Sequence, residues 1–197
     1  MDLQQRASTA SWLMLVGEIS PAWLSLAEAC PGPALFVLAD AAQEQRLREA
    51  WMAPWPSRWQ TLIHLVGEHP QACSWYTYND PRRNGVASPE ELRPLFPNLR
   101  LLGVELRESI TLASLLDSWD PPQLDGGLLA LLDDGALTWL SPSTDRLNRL
   151  ATLLVLPDQG EVDPQSFRGV LAEQLADCWL VPGGVVAHEA LGCLLLW

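Results

Sequence analysis

The stretch Trp12–Asp40, WLMLVGEISPAWLSLAEACPGPALFVLAD, decides the fold. It opens with WLMLV, an apolar run of strand length, and closes with a second such run, ALFVL, just before Asp40. Between them, Ser20 and Pro21 predict a helix start, because a serine hydroxyl can cap the first turn and proline has the φ of the first helical position. AWLSLAEAC has apolar residues at helical spacing, and PGP ends it. The stretch therefore predicts a β-α-β unit.

The same alternation continues along the chain. Further apolar runs predict strands at 61–67, 99–107, 127–133 and 151–157, and amphipathic patterns predict helices at 41–52, 111–119 and 163–179. Residues 179–197 predict a glycine-turned hairpin. Apolar strands alternating with amphipathic helices are typical of a parallel sheet covered on both faces. We therefore predict an α/β fold and one domain over residues 1–197.

The middle of the chain departs from this alternation. SWYTYN (74–79) predicts an edge strand, because aromatic residues and threonine favour strands. Residues 80–98 form a long connection dense in proline, glycine and asparagine, with one short helix predicted at SPEEL (88–92).

Charge and cysteine content limit the classes of partner and the compartment. The net charge is −12, and all 12 cationic side chains are arginine. A surface this acidic repels phosphate backbones and anionic lipid, so we expect no nucleic-acid partner and no membrane-surface role. The longest uncharged apolar runs are far short of the roughly 20 residues that span a bilayer, so we expect no membrane insertion. The apolar run at the N-terminus is too short for a signal peptide. Cys30, Cys73, Cys178 and Cys193 are far apart in sequence, which favours free thiols in a reducing cytoplasm.

Tryptophan is abundant, with ten residues, and three fall in WMAPWPSRW. Prolines 54 and 56 exclude one regular helix through Trp51, Trp55 and Trp59. This connection either packs on the core or forms an exposed docking patch, and the docking hypothesis predicts that Trp55 or Trp59 is substantially exposed. The apolar C-terminus, LGCLLLW, is a second candidate interface.

The order of elements resembles that of class I S-adenosylmethionine-dependent methyltransferases, and its details resemble the FkbM family over residues 12–197. WLMLVGEISPAWLSLAEACPGPALFVLAD is similar to the opening strand, glycine loop, helix and second strand of that family. HLVGEHPQACSWYTYNDPRRNG, ESITLASLLDSW and LLALLDDGALTWL are similar to later segments. The resemblance implies a Rossmann-like, doubly wound, mostly parallel sheet that ends in a C-terminal antiparallel hairpin.

The resemblance also implies where a cofactor would bind. In this sequence the corresponding positions are Gly17 and Glu18 in the first loop, and Asp40, which would hold the ribose hydroxyls. The chain has Leu15 where the family has an acid and Pro21 where it has a second glycine. Asp40 is also placed to cap the helix that begins at Ala41.

The hallmark segment of the family has lost its charged residues here. Aligned on Gly135 and Ala136, the Lys, Asp and Glu of the family fall on Ala130, Leu132 and Leu137. Asp133 and Asp134 are offset from the acid position, and a one-residue offset on a strand places a side chain on the other face. We therefore expect neither aspartate to replace the missing acid.

These losses predict a catalytically degenerate methyltransferase-like domain that uses no cofactor and acts as a binding or scaffolding module. The expected partner is a protein: a glycosyltransferase, an active methyltransferase or a second copy, with surface-polysaccharide assembly as the pathway. We identify no catalytic residues and no metal ligands, since no histidine has a partner at metal-binding spacing.

Two alternatives remain open. The chain could be an active O-methyltransferase that uses S-adenosylmethionine on a sugar hydroxyl, with Asp40 on the ribose and Asp133 or Asp134 as the acid. The emptied cleft could instead bind an apolar ligand between Leu15, Leu132 and Leu137.

Overall fold

The structure, a computed structural model, describes residues 2–121, 125–133, 136–140, 143–147, 150–155, 184–188 and 192–196. At 137, 144, 145, 184–188 and 192–196 it describes the backbone alone. The helix predicted at 163–179 lies outside the described residues.

The strands are β1 Leu13–Gly17, β2 Ala34–Leu38, β3 Trp59–Ile63, β4 Leu65–Gly67, β5 Ala72–Tyr78, β6 Leu101–Thr111, β7 Gly127–Leu132, β8 Leu150–Val155, β9 Gly184–His188 and β10 Gly192–Leu196. The α-helices are α1 Leu3–Thr9, α2 Leu24–Ala29, α3 Ala41–Ala50, α4 Pro89–Leu92, α5 Leu112–Ser118 and α6 Thr144–Leu147. Short 3₁₀ helices are η1 Pro21–Trp23, η2 Pro81–Arg83 and η3 Ala136–Trp139.

The main sheet has the strand order β3-β2-β1-β7-β8-β10-β9. The first five strands in that order pair in parallel, whereas β10 is antiparallel to both of its neighbours. The chain moves outward from β1 to β3 and later returns to add β7 and β8 on the other side of β1, as in Rossmann-like sheets. The predicted α/β fold with a C-terminal hairpin is confirmed.

Both faces of the sheet are buried, which explains why its strands read as continuous apolar runs. Leu13 and Leu15 belong to one hydrophobic cluster, and Met14 and Val16 belong to the other. Side chains of α1, α2 and α3 complete the first cluster, and those of α5, η3 and α6 complete the second. Helices therefore cover both faces, and the sheet is doubly wound.

Helix α1 was not predicted, although its signal is in the sequence. The Asp2 side chain accepts a hydrogen bond from Gln5 N, and the Gln5 side chain accepts one from Asp2 N. This is a capping box, a recognised N-terminal helix signature. Leu3 and Ala7 are the buried residues of the helix.

The prediction of a single strand at 61–67 is wrong. Residues Trp59–Ile63 form β3 at the edge of the main sheet, and Leu65–Gly67 form β4 in a second sheet of order β4-β6-β5. Between them, His64 N donates to Leu38 O at 3.0 Å, which anchors the crossing to β2. The apolar run TLIHLVG therefore spans two sheets.

Helix caps follow the sequence with one exception. Thr111 accepts from Ser114 N at 3.0 Å, and Ser88 forms a capping box with Glu91, as predicted. Ser20 occupies the N-cap of η1 and Pro21 its first position, but the Ser20 side chain makes no cap hydrogen bond. The helix begins as 3₁₀ at Pro21 and becomes α-helical at Leu24.

The tryptophan-rich connection packs on the core, so the docking hypothesis for this segment is wrong. Trp59 is only 4% exposed, and Trp51 and Trp55 are half-buried against the first cluster. The Trp55 and Trp59 rings lie 5.0 Å apart between centroids, and each lies 5.4 Å from Phe36. Burial of these large rings explains why the connection is rich in tryptophan.

Candidate functional site

A cavity of about 530 Å³ opens at the carboxyl ends of β1, β2 and β7, with β4, β5 and η2 on its other side. Its volume is in the range of small-molecule sites. It lies where the chain reverses direction across β1, which is where open parallel sheets bind their ligands. Its lining includes Gly17, Glu18, Asp40 and Asp133.

Gly17 is required by the packing of two strand ends. Its φ is +111°, a conformation that side chains rarely adopt. A Cβ built there would lie 2.8 Å from the Leu132 carbonyl carbon and 2.9 Å from Asp133 N. The adjacent Glu18 N donates to Leu132 O at 3.2 Å, so the ends of β1 and β7 are held together. This glycine therefore has a structural reason that does not depend on a cofactor.

The loop after Gly17 leaves the cavity open despite its bulky residues. Glu18 is exposed and lines the cavity, and its carboxylate has no hydrogen bond or ion pair to another described residue. Ile19 is 4% exposed and packs into the first hydrophobic cluster, below the loop. Pro21 begins η1 and faces solvent. The substitutions that make this loop bulkier than a glycine loop thus do not fill the site.

Asp40 caps helix α3 and is only 7% exposed. Its Oδ1 accepts from Gln43 N at 2.8 Å, which is the N-cap hydrogen bond expected of this position. Its Oδ2 accepts from Asn84 Nδ2 at 3.0 Å. Both carboxylate oxygens therefore already accept one hydrogen bond within the chain, and each keeps a lone pair for a further donor.

Two contacts fasten the second sheet over the end of β2. Asn84 donates to Asp40 and also accepts from Tyr78 N through its Oδ1 at 2.8 Å. Arg107 Nη1 donates to Ala39 O at 2.6 Å, and its guanidinium lies 4.5 Å from the centroid of the Trp75 ring. Trp75 is buried and lines the cavity. The wall formed by the second sheet is thus fixed by polar contacts on either side of it.

The leucines that replace the acids of the resembled family are buried rather than facing the cavity. Leu15 is fully buried and Leu132 is 2% exposed, and both belong to the first hydrophobic cluster. The expected apolar cleft lined by Leu15 and Leu132 is therefore wrong, while the side chain of Leu137 lies outside the described part of the chain. Asp133, which follows the last residue of β7, is exposed and lines the cavity. The expectation that it faces away is also wrong, because the strand ends before it.

Two lining residues of α3 with unpartnered polar atoms were not identified from the sequence. Gln43 is 7% exposed, and its Oε1 has no hydrogen-bond partner among the described residues; Arg46, one turn further along α3, has a buried Nη1 in the same condition. Buried polar atoms are almost always satisfied by protein, water or ligand. A helical spacing of three residues after the capping Asp40 is the signal that could have identified them.

The remaining candidate groups, which are metal ligands and thiols, form no second site among the described residues. No group of three or more histidine, cysteine, aspartate or glutamate side chains in the described part of the chain could hold a metal ion. Cys30 and Cys73 are free thiols, as predicted, and burial raises the pKa of Cys30, which makes it a poor nucleophile. Cys178 and the Cys193 side chain lie outside the description. None of the described helices is long and apolar enough to cross a membrane.

Comparisons with known proteins do not show which family the chain belongs to. No protein-family model matches the sequence, and a search of curated proteins finds no match. Among solved structures, the crystal structure of the antibiotic-resistance methyltransferase Kmr aligns with 99% of this chain and 90% of its own, at 15% identity and a TM-score of 0.41. A likeness at this level carries no argument about the site, so the resemblance to the FkbM family stays a prediction.

Proposed function

We propose that this chain is a catalytically degenerate methyltransferase-like domain that acts as a binding module and does not transfer a methyl group. It binds a small polar molecule in the cavity and a protein partner on its surface. A glycosyltransferase, an active methyltransferase and a second copy are the partners that the sequence predicts. A role in surface-polysaccharide assembly rests on the resemblance alone.

The observation that carries this proposal is the engagement of both Asp40 oxygens. One oxygen caps α3, and the other holds Asn84 from the second sheet. Each oxygen keeps a second lone pair, so ribose hydroxyls would have to share both oxygens with the α3 cap and with Asn84.

The burial of Leu15 and Leu132 supports the same proposal. Each leucine contributes roughly 1.5–3 kcal/mol by burial, whereas an unpaired carboxylate in either place would cost several kcal/mol. The strand ends are thus packed for stability at the positions where the resembled family has acids.

Retention of an open cavity supports a binding function. Gln43 Oε1 can only accept a hydrogen bond and Arg46 Nη1 can only donate one. A molecule that carries a donor beside an anionic or carbonyl acceptor would satisfy both. An apolar ligand would leave both atoms unsatisfied, at a cost of about 1–3 kcal/mol each.

Titration calorimetry and thermal unfolding with S-adenosylmethionine test the proposal. A ligand at 100 times its Kd stabilises a protein by about 2.7 kcal/mol, which raises the Tm of a chain of this size by several degrees. We expect no heat of binding and no shift at about 1 mM ligand, which is 100 times a Kd of about 10 µM. Micromolar binding overturns the proposal.

A second candidate, the active O-methyltransferase, is favoured by two observations. Asp133 lies in the cavity lining, and Ile19 is turned away from it. The direct test is transfer of a labelled methyl group to sugar hydroxyls by the wild-type protein and by Asp133→Asn. Transfer that is present in the wild type and lost in the variant supports the enzyme over the binding module.

A further inference from the structure

An asparagine–glycine pair, Asn84 and Gly85, follows η2 in the lining of the cavity. Of the four asparagines in the sequence, only Asn84 precedes a glycine. Asparagine deamidates when the backbone nitrogen of the next residue attacks its side-chain amide carbon, and glycine leaves that approach unhindered because it has no Cβ. Asn84 is therefore the asparagine that the sequence makes most prone to deamidation.

The folded backbone keeps the attacking nitrogen away from the Asn84 side chain. Asn84 has φ −59° and ψ 136°, an extended conformation close to polyproline II, in which Gly85 N does not face the amide carbon. Gly85 N instead donates to Tyr76 O at 3.1 Å, and Tyr76 N donates to Gly85 O at 2.8 Å. Attack requires rotation about the Cα–C bond of Asn84, which breaks this bridge to β5.

Two hydrogen bonds hold the side chain of Asn84 as well. Its Nδ2 donates to Asp40 Oδ2 at 3.0 Å, and its Oδ1 accepts from Tyr78 N at 2.8 Å. Asp40 is 7% exposed and is itself held by Gln43 N at the start of α3. The amide can therefore turn toward Gly85 N only after its contacts with α3 and β5 have opened.

We propose that Asn84 is a deamidation site, and that local opening of these contacts sets its rate. In the open state Gly85 N bonds to Asn84 Cγ and loses its proton, and the side-chain nitrogen leaves as ammonia with that proton. Water then opens the resulting succinimide ring at one of its two carbonyls, which gives aspartate or isoaspartate at position 84. Water is the only other reactant in the sequence of steps.

The product cannot remake the bond to Asp40 in the same form. An aspartate at position 84 presents a carboxylate where the amide donated, and two carboxylates in contact disfavour each other's ionisation. An isoaspartate also lengthens the backbone before Gly85 by one carbon, which displaces Gly85 from Tyr76. Deamidation therefore detaches the connection after β5 from the start of α3, whatever the cavity binds.

Ageing the protein in mildly alkaline buffer, followed by peptide mass spectrometry, tests the proposal. We expect Asn84 to be the asparagine that is converted, at least about tenfold faster when the chain is unfolded in urea than in buffer. Asp40→Ala should raise the rate in buffer alone, whereas Thr111→Ala, which loses the cap of α5, should not. Gly85→Ala, whose Cβ would meet nothing within 4 Å, should suppress conversion in both solvents. Equal rates in urea and buffer, or conversion mainly at another asparagine, overturns the proposal.

Amide hydrogen exchange tests the consequence without a variant that loses a helix cap. We expect Tyr76 N and Gly85 N to exchange about tenfold faster in Asn84→Asp and in the aged wild type than in the fresh protein. Asn79→Asp is the matched control, because the Asn79 side chain only accepts, from Arg100 N at 2.7 Å, and a carboxylate can do the same. Unchanged exchange in Asn84→Asp, or an equal increase in Asn79→Asp, overturns the proposal.

Discussion

Asp40 and Asn84 are 44 residues apart and joined by a hydrogen bond of 3.0 Å between Oδ2 and Nδ2. The bond links the N-cap of α3 to the connection after β5, across one side of the cavity. It uses Oδ2 of Asp40, because Oδ1 accepts the N-cap hydrogen bond of α3. A residue expected to serve a cofactor therefore serves the helix and the cavity wall.

Removal of either partner should destabilise the fold, because each side chain makes the shared bond and one further hydrogen bond. Asp40→Ala loses the cap and the long-range bond, and we expect a cost of about 1–2 kcal/mol for the cap alone. Asn84→Ala keeps the cap but loses the bond to Asp40 and the bond from Tyr78 N, and should cost about 1–3 kcal/mol. Urea denaturation of both variants and of the double variant measures the coupling; strictly additive effects would contradict the bond. Asp2→Ala, which removes the exposed N-cap of α1, is the control for the loss of a cap alone.

Gly17→Ala should destabilise the protein by about 1–3 kcal/mol or more, because its φ is +111° and the added Cβ meets the backbone of Leu132 and Asp133. Gly85→Ala is the matched control: its Cβ would meet nothing within 4 Å. We expect that control to stay within about 0.5 kcal/mol of the wild type. Equal midpoints of urea denaturation for the two variants would count against the close approach of β1 and β7.

Restoring an acid at the position of Leu132 should damage the fold without creating a site. The side chain is 2% exposed among apolar neighbours, so Leu132→Asp should cost about 3 kcal/mol or more. We expect no binding of S-adenosylmethionine by this variant in calorimetry. The control is Asp133→Asn, at an exposed position, with a small effect on stability. A fully stable Leu132→Asp would mean that position 132 reaches solvent.

Gln43→Leu should leave the free energy of unfolding unchanged or raise it by about 1 kcal/mol, because an unpartnered buried acceptor is removed. Ser109→Ala makes the contrast. Ser109 is 5% exposed, and its hydroxyl bonds to His69 O and Gln71 N, so its loss should cost about 1–3 kcal/mol. Chemical denaturation compares the two. A large loss of stability in Gln43→Leu would show that its amide is satisfied within the chain.

Acid should weaken the link between α3 and β3. Hydrogen bonds from Thr61 and then from Arg48 lower the pKa of Glu44 below its ordinary 4.5. A lowered pKa in the folded state gives stability above the ordinary value that is lost as the pH falls through the folded one. The Tm difference between the wild type and Thr61→Val should therefore be constant above about pH 5 and shrink below it. Thr77→Val is the control, and a difference that grows in acid would contradict the assignment.

The elements of the main sheet could be predicted because burial on both faces leaves an unmistakable apolar run. The caps at Asp40, Ser88 and Thr111 could be predicted because each depends on a local hydrogen bond. The division of TLIHLVG at His64 could not, because both halves are apolar and the sheet that each joins is decided by strands distant in sequence.

The candidate site was predicted only in part. Gly17, Glu18 and Asp40 line one cavity, as strand ends in a parallel sheet should. The direction of Asp133 depends on where β7 ends, a boundary that the sequence does not define. Gln43 and Arg46 lie there because of the rotation of α3, and Asn84 because of a fold-back of the long connection. Helical spacing after Asp40 is a local signal for Gln43 and Arg46, whereas the position of Asn84 is a tertiary relationship with no local signal.

The single-residue crossing at His64 has a mechanical consequence. Only one residue separates β3 from β4, and its N–H donates to Leu38 O. The second sheet is therefore held close to the main sheet at this point. The cavity mouth is therefore ready-made, and entry of a small molecule should be governed by diffusion through a fixed opening rather than by the slow motion of a lid.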